Sequence, residues 1–141
     1  MTEDLGTRAR AWIDANWDAD QSLGAWWKAL AASGFAVPEW PEAWFGLGAS
    51  HRDALAVRAA FRDLGVPGPP AGLGIMLAGP TLLAHGTDEQ RARHLASIVD
   101  GTANWCQLFS EPGAGSDLAS LSCRAERSGD RWLVTGQKVW T

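Results

Sequence analysis

Residues 105–117 read Trp105-Cys106-Gln107-Leu108-Phe109-Ser110-Glu111-Pro112-Gly113-Ala114-Gly115-Ser116-Asp117, and the chain changes period as it enters them. Ala103 to Phe109 is an apolar run of the kind a buried strand presents. From Ser110 to Asp117 the composition turns to Gly, Ser and Pro, which marks a loop. Gly113 and Gly115 allow a backbone to approach a ligand closely, and successive N–H groups there can form an anion-binding nest. Ser110 and Ser116 add hydroxyls that can bond a flat cofactor or a phosphate. The loop is not a dinucleotide fingerprint, because Leu118 stands where a third glycine is needed and no βαβ unit surrounds it. It is not a P-loop either, since no Gly-Lys-Ser/Thr follows. On residue types alone, such a loop is more often a plain turn.

Upstream, the pattern is helical. Leu5, Ala9, Trp12 and Ile13 form one apolar stripe. A second helix is predicted from about Ser22 to Ser33, with Leu23, Trp26, Trp27 and Leu30 inward and Gly34 as a left-handed cap. Val37-Pro38-Glu39-Trp40-Pro41 cannot continue it. Ser50 with Asp53 reads as an N-cap worth about 1 kcal/mol, and Ala54, Val57, Phe61 and Leu64 keep helical spacing behind it to Gly65. Pro67, Pro69 and Pro70 enforce a linker. Leu73 to Ala84 is apolar nearly all round and reads as a buried central helix, with Pro80 starting or kinking its second piece. Thr87-Asp88-Glu89-Gln90 is a capping box, and the helix it opens ends at Asp100-Gly101. Five or six helices therefore form a bundle.

Downstream, Ser122 to Glu126 and Arg131 to Thr135 flank Ser128-Gly129-Asp130 as a hairpin. Gln137 to Thr141 reads as the start of a further strand. The fold class is α+β, with a helical domain over residues 1–101 and the opening strands of a β-domain over 102–141.

Composition narrows the function. The 141 residues carry 12 Lys plus Arg against 16 Asp plus Glu, a net charge of −4, which is not the basic footprint of a nucleic-acid binder. A chain of this size can bury roughly two thirds of its unfolded surface. The longest apolar run, Gly74 to Ala84, is too short to span a bilayer, and Met1 to Arg10 has no signal-peptide core. Two cysteines fit a reducing compartment, and the cytoplasm is the expected location. His51, His85 and His94 lack metal-ligand spacing, so no metal is expected. Cys106 lacks an adjacent base and reads as a small buried side chain. Arg91 and Arg93 read as a solvated face. Among nine tryptophans, Trp12, Trp26 and Trp27 fall at core spacing, whereas Trp40 and Trp44 could equally plug a face outside this chain.

The stretch Trp105 to Asp117 resembles the signature of the acyl-CoA dehydrogenases, and Gln137-Lys138-Val139-Trp140-Thr141 resembles that family's second flavin segment. Gly79-Pro80-Thr81-Leu82-Leu83 and His85-Gly86-Thr87-Asp88-Glu89-Gln90 are similar to its helical domain. The wording Leu-Phe-Ser-Glu and Lys-Val-Trp-Thr resembles bacterial members, including those acting on bulky acyl-CoAs of fatty acid or sterol side-chain β-oxidation. Where the family commonly has Tyr-Gly-Gly, this chain has Trp44-Phe45-Gly46.

The resemblance implies an FAD enzyme of three domains, with the flavin between the β-domain and C-terminal helices. Gln107, Phe109 and Ser110 would line the isoalloxazine ring. Gly115 and Ser116 would contact the cofactor's phosphate region, and Ser116 alternatively the acyl-CoA. Trp140 would pack on the flavin and Thr141 would lie beside N5. The family removes the α-proton of an acyl-CoA with a Glu base while the β-hydride passes to the flavin, giving a trans-2-enoyl-CoA. That Glu belongs to the C-terminal domain and no position here matches it, so no catalytic residue is expected in this chain. Glu111 and Asp117 are expected to brace the loop instead. The 141 residues alone are expected to hold FAD weakly and to be inactive. An electron-transfer flavoprotein as acceptor and a homo- or hetero-oligomer are implied as partners. The alternatives are a non-catalytic subunit of a heteromeric dehydrogenase, or an oxidase or flavin monooxygenase of the same superfamily.

Overall fold

A computed structural model describes residues 4–140. Its contacts divide the chain between Trp105 and Cys106.

The first unit is helical. α1 (Leu5–Asn16), α2 (Leu23–Ser33) and α3 (His51–Leu64) each begin on a side-chain cap. Asp4 accepts from the Thr7 N–H, Ser22 from Ala25 and Ser50 from Asp53. Each cap satisfies one of the amide donors that a helix start leaves without a partner. Gly34 closes α2 at φ +82 and Gly65 closes α3 at φ +66, as their positions predict. α4 (Gly79–His85) and α5 (Asp88–Val99) complete the set of five, and α5 opens with the reciprocal Thr87–Gln90 capping box.

The core is built on Trp26, which is fully buried. Trp12 stacks on it at 5.3 Å between ring centroids, and Trp17 meets it edge-on at 5.1 Å. Its indole N–H donates to the Pro67 carbonyl at 2.7 Å, and Trp27 donates likewise to Gly68 at 3.0 Å. Two adjacent indoles thus pin the proline linker to the bundle. Ile13, Leu30, Val57, Phe61, Leu95, Ile98 and Val99 fill the rest of the interior. Leu23, expected inward, is exposed instead, because it lies in the first turn of α2 beyond the reach of the neighbouring helices.

Trp40 is buried in this unit's own core and Trp44 packs against that core half-buried, so neither ring needs an outside face. The loop between α2 and α3 folds back to make this possible. The Pro38 carbonyl accepts from both Leu47 and Ala49, and Gly48 donates to Trp40. A side chain at position 46 would put its Cβ 2.0 Å from the Trp40 carbonyl oxygen, so glycine is obligatory there. Phe45 takes the left-handed conformation at φ +69, at the position where the resemblance implies glycine.

The segment after the linker departs from expectation. Gly74–Ala78 forms a wide π turn, closed by the Gly79 N–H on the Gly74 carbonyl, before α4 starts. Pro80 has no N–H to offer the preceding turn, which accounts for the widening. The run is not a buried central helix: Met76 is 75% exposed, and Leu73 and Leu77 also reach solvent. Only Ile75, Ala78, Leu82 and Leu83 pack on the core, with Gly79 lying against the Trp40 ring. An all-apolar sequence cannot reveal that only one of its faces has a neighbour within the chain.

The second unit contains one hairpin, β1 (Arg124–Ser128) antiparallel to β2 (Arg131–Thr135). Ser128 faces Arg131 across a two-residue turn with Gly129 at φ +61. β2 has the predicted bounds, whereas β1 starts two residues later than expected. The tight turn sets the register, and counting back from it pairs Arg124 with Thr135. All ten hairpin residues are exposed. Ala103 to Phe109 is not a buried strand: it runs without ladder partners and Cys106 is exposed, contrary to its reading as a buried side chain. Residues 137–140 form no strand either, and make one backbone bond, from the Val139 N–H to the Ser110 carbonyl at 2.9 Å. Thr141 lies outside the described residues.

Candidate functional site

All the described site residues expected from the sequence fall in the second unit. What organises them is a carboxylate. Glu111 and Ala114 are the only buried residues of that unit among those described. Their backbones close a tight turn on each other, with N···O distances of 2.8 and 3.1 Å. The turn delivers the Glu111 side chain inward. There Oε2 accepts from the Ser122 N–H at 2.7 Å and the Ser122 hydroxyl at 2.9 Å, while Oε1 accepts from the Cys123 N–H at 3.0 Å. Lys138 Nζ donates to the same Oε1 at 2.9 Å and to the Phe109 carbonyl at 3.0 Å.

These donors act together on the acid. The Ser122 N–H, the Lys138 ammonium and the Cys123 N–H all favour the ionised form, and burial opposes them. The pKa falls from 4.5 to about 2. A carboxylate so engaged is a bracing group and holds no proton at neutral pH, which agrees with the expectation for Glu111. Asp117 also acts locally, its side chain accepting from the Ala119 N–H at 3.2 Å at the start of a single helical turn, residues 118–120.

The loop and the terminal segment are brought together. Val139 and Lys138 bond to Ser110 and Phe109 respectively, so residues 109–110 and 138–139 lie side by side. Phe109 and Leu108 are more than half exposed, and Trp140 is 92% exposed at φ +62. Gln107 and Ser110 are partly exposed and Ser116 is exposed. Among the described residues, a Cβ added at Gly113 or Gly115 would meet nothing within 4 Å, so the loop is open at these two positions. At Gly136, by contrast, a Cβ would strike the Cys123 sulfur at 2.6 Å, which fixes glycine where β2 leaves for the terminal segment.

Lys138, Ser122 and Cys123 are functional neighbours that residue-by-residue reading passed over. The available signal was a single Glu inside a Gly-Ser loop, which needs either solvent or a cation. Arg91, expected on a solvated face, is instead largely covered. It donates to the carbonyls of Leu82 and Leu83, whereas Arg93 is exposed. His51 pairs with Glu39, and no cluster of three or more His, Cys, Asp or Glu could hold a metal among the described residues. No helix there is long and apolar enough to cross a membrane.

The described residues thus form a five-helix scaffold and, in the second unit, a loop with open backbone beside the exposed rings of Phe109 and Trp140. Comparison with known proteins says which such scaffold it is. Residues 2–102 match the model of the acyl-CoA dehydrogenase N-terminal domain, and the chain belongs to the acyl-CoA dehydrogenase family. It is 44% identical over 124 residues to acyl-CoA dehydrogenase IpdE1 of Mycobacterium tuberculosis, covering 88% of this chain and 32% of that protein. It is 49% identical over 113 residues to acyl-CoA dehydrogenase FadE34 of the same organism, covering 80% of this chain and 16% of the other. Among solved structures, the ChsE4–ChsE5 complex from M. tuberculosis matches with a TM-score of 0.68 at 32% identity, covering 97% of this chain and 38% of that one. The Tcur3481–Tcur3483 steroid acyl-CoA dehydrogenase matches with a TM-score of 0.64 at 31% identity, covering 96% of this chain and 38% of that one. The chain spans between 16% and 38% of the length of these relatives.

Proposed function

We propose that this chain supplies the helical unit and one wall of an FAD site to a dehydrogenase that converts a saturated acyl-CoA thioester to its trans-2-enoyl form. The observation that carries this reading is the joining of residues 109–110 to residues 138–139, which sets Phe109 and Trp140 on adjoining segments. In this reading Gln107, Phe109 and Ser110 line the isoalloxazine ring. Gly115 and Ser116 meet the phosphates, with Ser116 alternatively touching the acyl-CoA. Trp140 would cover the ring, and Thr141, outside the described residues, would lie beside it. The residues suit the group: exposed rings stack on a planar system, and the open loop leaves amides free to meet phosphate oxygens. When bound, FAD takes up the two electrons released from the acyl chain.

The chain's own residues bind and orient. Proton removal needs a carboxylate able to accept a proton, and Glu111, ionised but held by four bonds, is spent on bracing. The family resemblance places the base in a domain outside these 141 residues, and on this reading the isolated chain neither holds FAD firmly nor oxidises an acyl-CoA. Relatives named as steroid dehydrogenases support a bulky acyl group as substrate. The reading includes a cytoplasmic enzyme of sterol or fatty acid side-chain β-oxidation that passes electrons to an electron-transfer flavoprotein.

The test is purification of the full-length protein. Yellow, flavin-loaded material that reduces a dye acceptor with acyl-CoA is expected. Protein that carries no flavin and takes up none from added FAD overturns the reading. Oxygen consumption without another acceptor would reassign it as an oxidase.

Likeness to one chain of the two-protein ChsE4–ChsE5 complex favours a second reading, a subunit that contributes contacts to a heteromer. Co-elution with a dehydrogenase encoded beside it supports this, and separate elution at micromolar concentrations counts against it.

A further inference from the structure

We propose that Lys138, fixed by Glu111, is a positioning residue that sets the orientation of Trp140 and the Phe109–Ser110 backbone as one flavin-facing surface. The inference rests on the flavin reading above and assigns a role to two side chains which that reading leaves without one. Among the described residues, Lys138 is the side chain of the terminal segment that ties it to the loop, donating to the Phe109 carbonyl at 3.0 Å and to Glu111 at 2.9 Å across 29 and 27 residues. Its ammonium is largely covered and its partner carboxylate almost wholly so, at 22% and 3% side-chain exposure. Glu111 is in turn immobilised by three further bonds from Ser122 and Cys123, so the lysine is anchored to a fixed point.

The residue after next is Trp140, at φ +62. A tryptophan in the left-handed region is strained and persists only where its surroundings impose it. The constraints on the page are the Lys138 clasp and the Val139 bond to Ser110. They hold the backbone immediately before the tryptophan, and the ring stands 92% exposed. The alternative is that the clasp only stabilises the unit. The two roles separate when flavin binding and local backbone order are read independently.

The experiment compares full-length parent, Lys138→Met, Lys138→Arg and Glu111→Gln proteins. FAD affinity and the visible circular dichroism of bound flavin are the first readouts. Hydrogen exchange of the Val139 amide in flavin-free protein is the second. Lys138→Met is expected to speed Val139 exchange, alter the flavin dichroism and weaken FAD about tenfold or more, the loss of a charge-assisted bond. Lys138→Arg, which can reach both acceptors, is expected to recover most of the affinity. Glu111→Gln should shift affinity and dichroism in the same direction as Lys138→Met, which keeps the idea open to test should the methionine variant fail to fold. Faster Val139 exchange with parental FAD affinity and dichroism would reduce the clasp to a structural brace and overturn the proposal. A parent that binds no FAD overturns the flavin reading and this role with it, and is recognised before any variant is made.

Discussion

The Arg91 guanidinium, at the first turn of α5, donates through Nε to the Leu82 carbonyl at 3.1 Å and through Nη2 to the Leu83 carbonyl at 3.0 Å. Those carbonyls belong to the last turn of α4; the Leu82 carbonyl also accepts from the Gly86 N–H at 2.8 Å, whereas the Thr87 N–H, which would continue the helix onto Leu83, is turned to the Gln90 side chain. Arg91 therefore caps one helix while standing on another, and its third bond, to Asp88 at 2.8 Å, keeps the side chain aimed. Arg91→Ala is expected to lower unfolding free energy by about 1–3 kcal/mol, measured by urea titration. Lys in its place should recover only part of this, because an ammonium lacks the planar fork. An alanine variant as stable as the parent would show that the helix end is satisfied by water.

Gly46 and Gly48 stand two residues apart in the loop under Trp40 and should behave oppositely. A Cβ at Gly46 would lie 2.0 Å from a backbone oxygen, so Gly46→Ala forces the loop off the Trp40 ring and is expected to cost more than about 3 kcal/mol. Gly48, at φ +58 with open space around it, should tolerate alanine at a cost of about 1 kcal/mol. Comparable thermal shifts for the two variants would refute the steric argument.

Thr87 offers a smaller, well-bounded effect. Its side chain accepts from the Gln90 N–H at 3.2 Å, and the Gln90 Oε1 accepts in turn from the Thr87 N–H at 2.9 Å. Thr87→Ala should cost about 1 kcal/mol and Thr87→Ser almost nothing, read from denaturation midpoints. Equal losses in both variants would place the effect in the threonine methyl instead of the cap.

These contacts mark where sequence reading succeeds and where it stops. Caps and glycine stops are local: Ser22, Ser50, Thr87, Gly34 and Gly65 act within four residues, and each stands where its spacing puts it. Hairpin strand β2 is legible for the same reason, through its two-residue turn. Burial is not local. Met76 and Leu77 have the composition of core residues, yet exposure follows from which neighbours the fold supplies. Trp40 shows the converse, since a proline-flanked tryptophan looks like a loop residue until the 45–49 segment closes over it. At the site, the proposed flavin-facing positions are legible through a motif, but the residue that joins the terminal segment to the loop, Lys138, is 27 residues from Glu111. Only the folded chain places the two within bonding distance.

Glu111 links this geometry to a pH response. Its folded pKa, about 2, lies below the 4.5 of an unconstrained glutamate, so the folded state favours the ionised form. The stability it contributes is complete above about pH 4.5, where the unfolded chain is ionised too. It declines as pH falls through the interval from 4.5 to 2, because the unfolded state takes up the proton first. Comparing the full-length parent with Glu111→Gln isolates this contribution, since the carboxamide oxygen can still accept one amide bond but carries no charge to face Lys138. The stability difference between the two proteins is expected to stay constant from pH 7 to about 5 and then to shrink steadily toward pH 2, as followed by denaturant titration at each pH. Raising the salt concentration at pH 7 should narrow the difference only slightly, because the carboxylate is almost wholly covered and its ion pair is shielded from solvent. A difference that stays the same across the acid range would mean that Glu111 braces the loop by shape alone, and that the donors from Ser122, Cys123 and Lys138 do not read its charge.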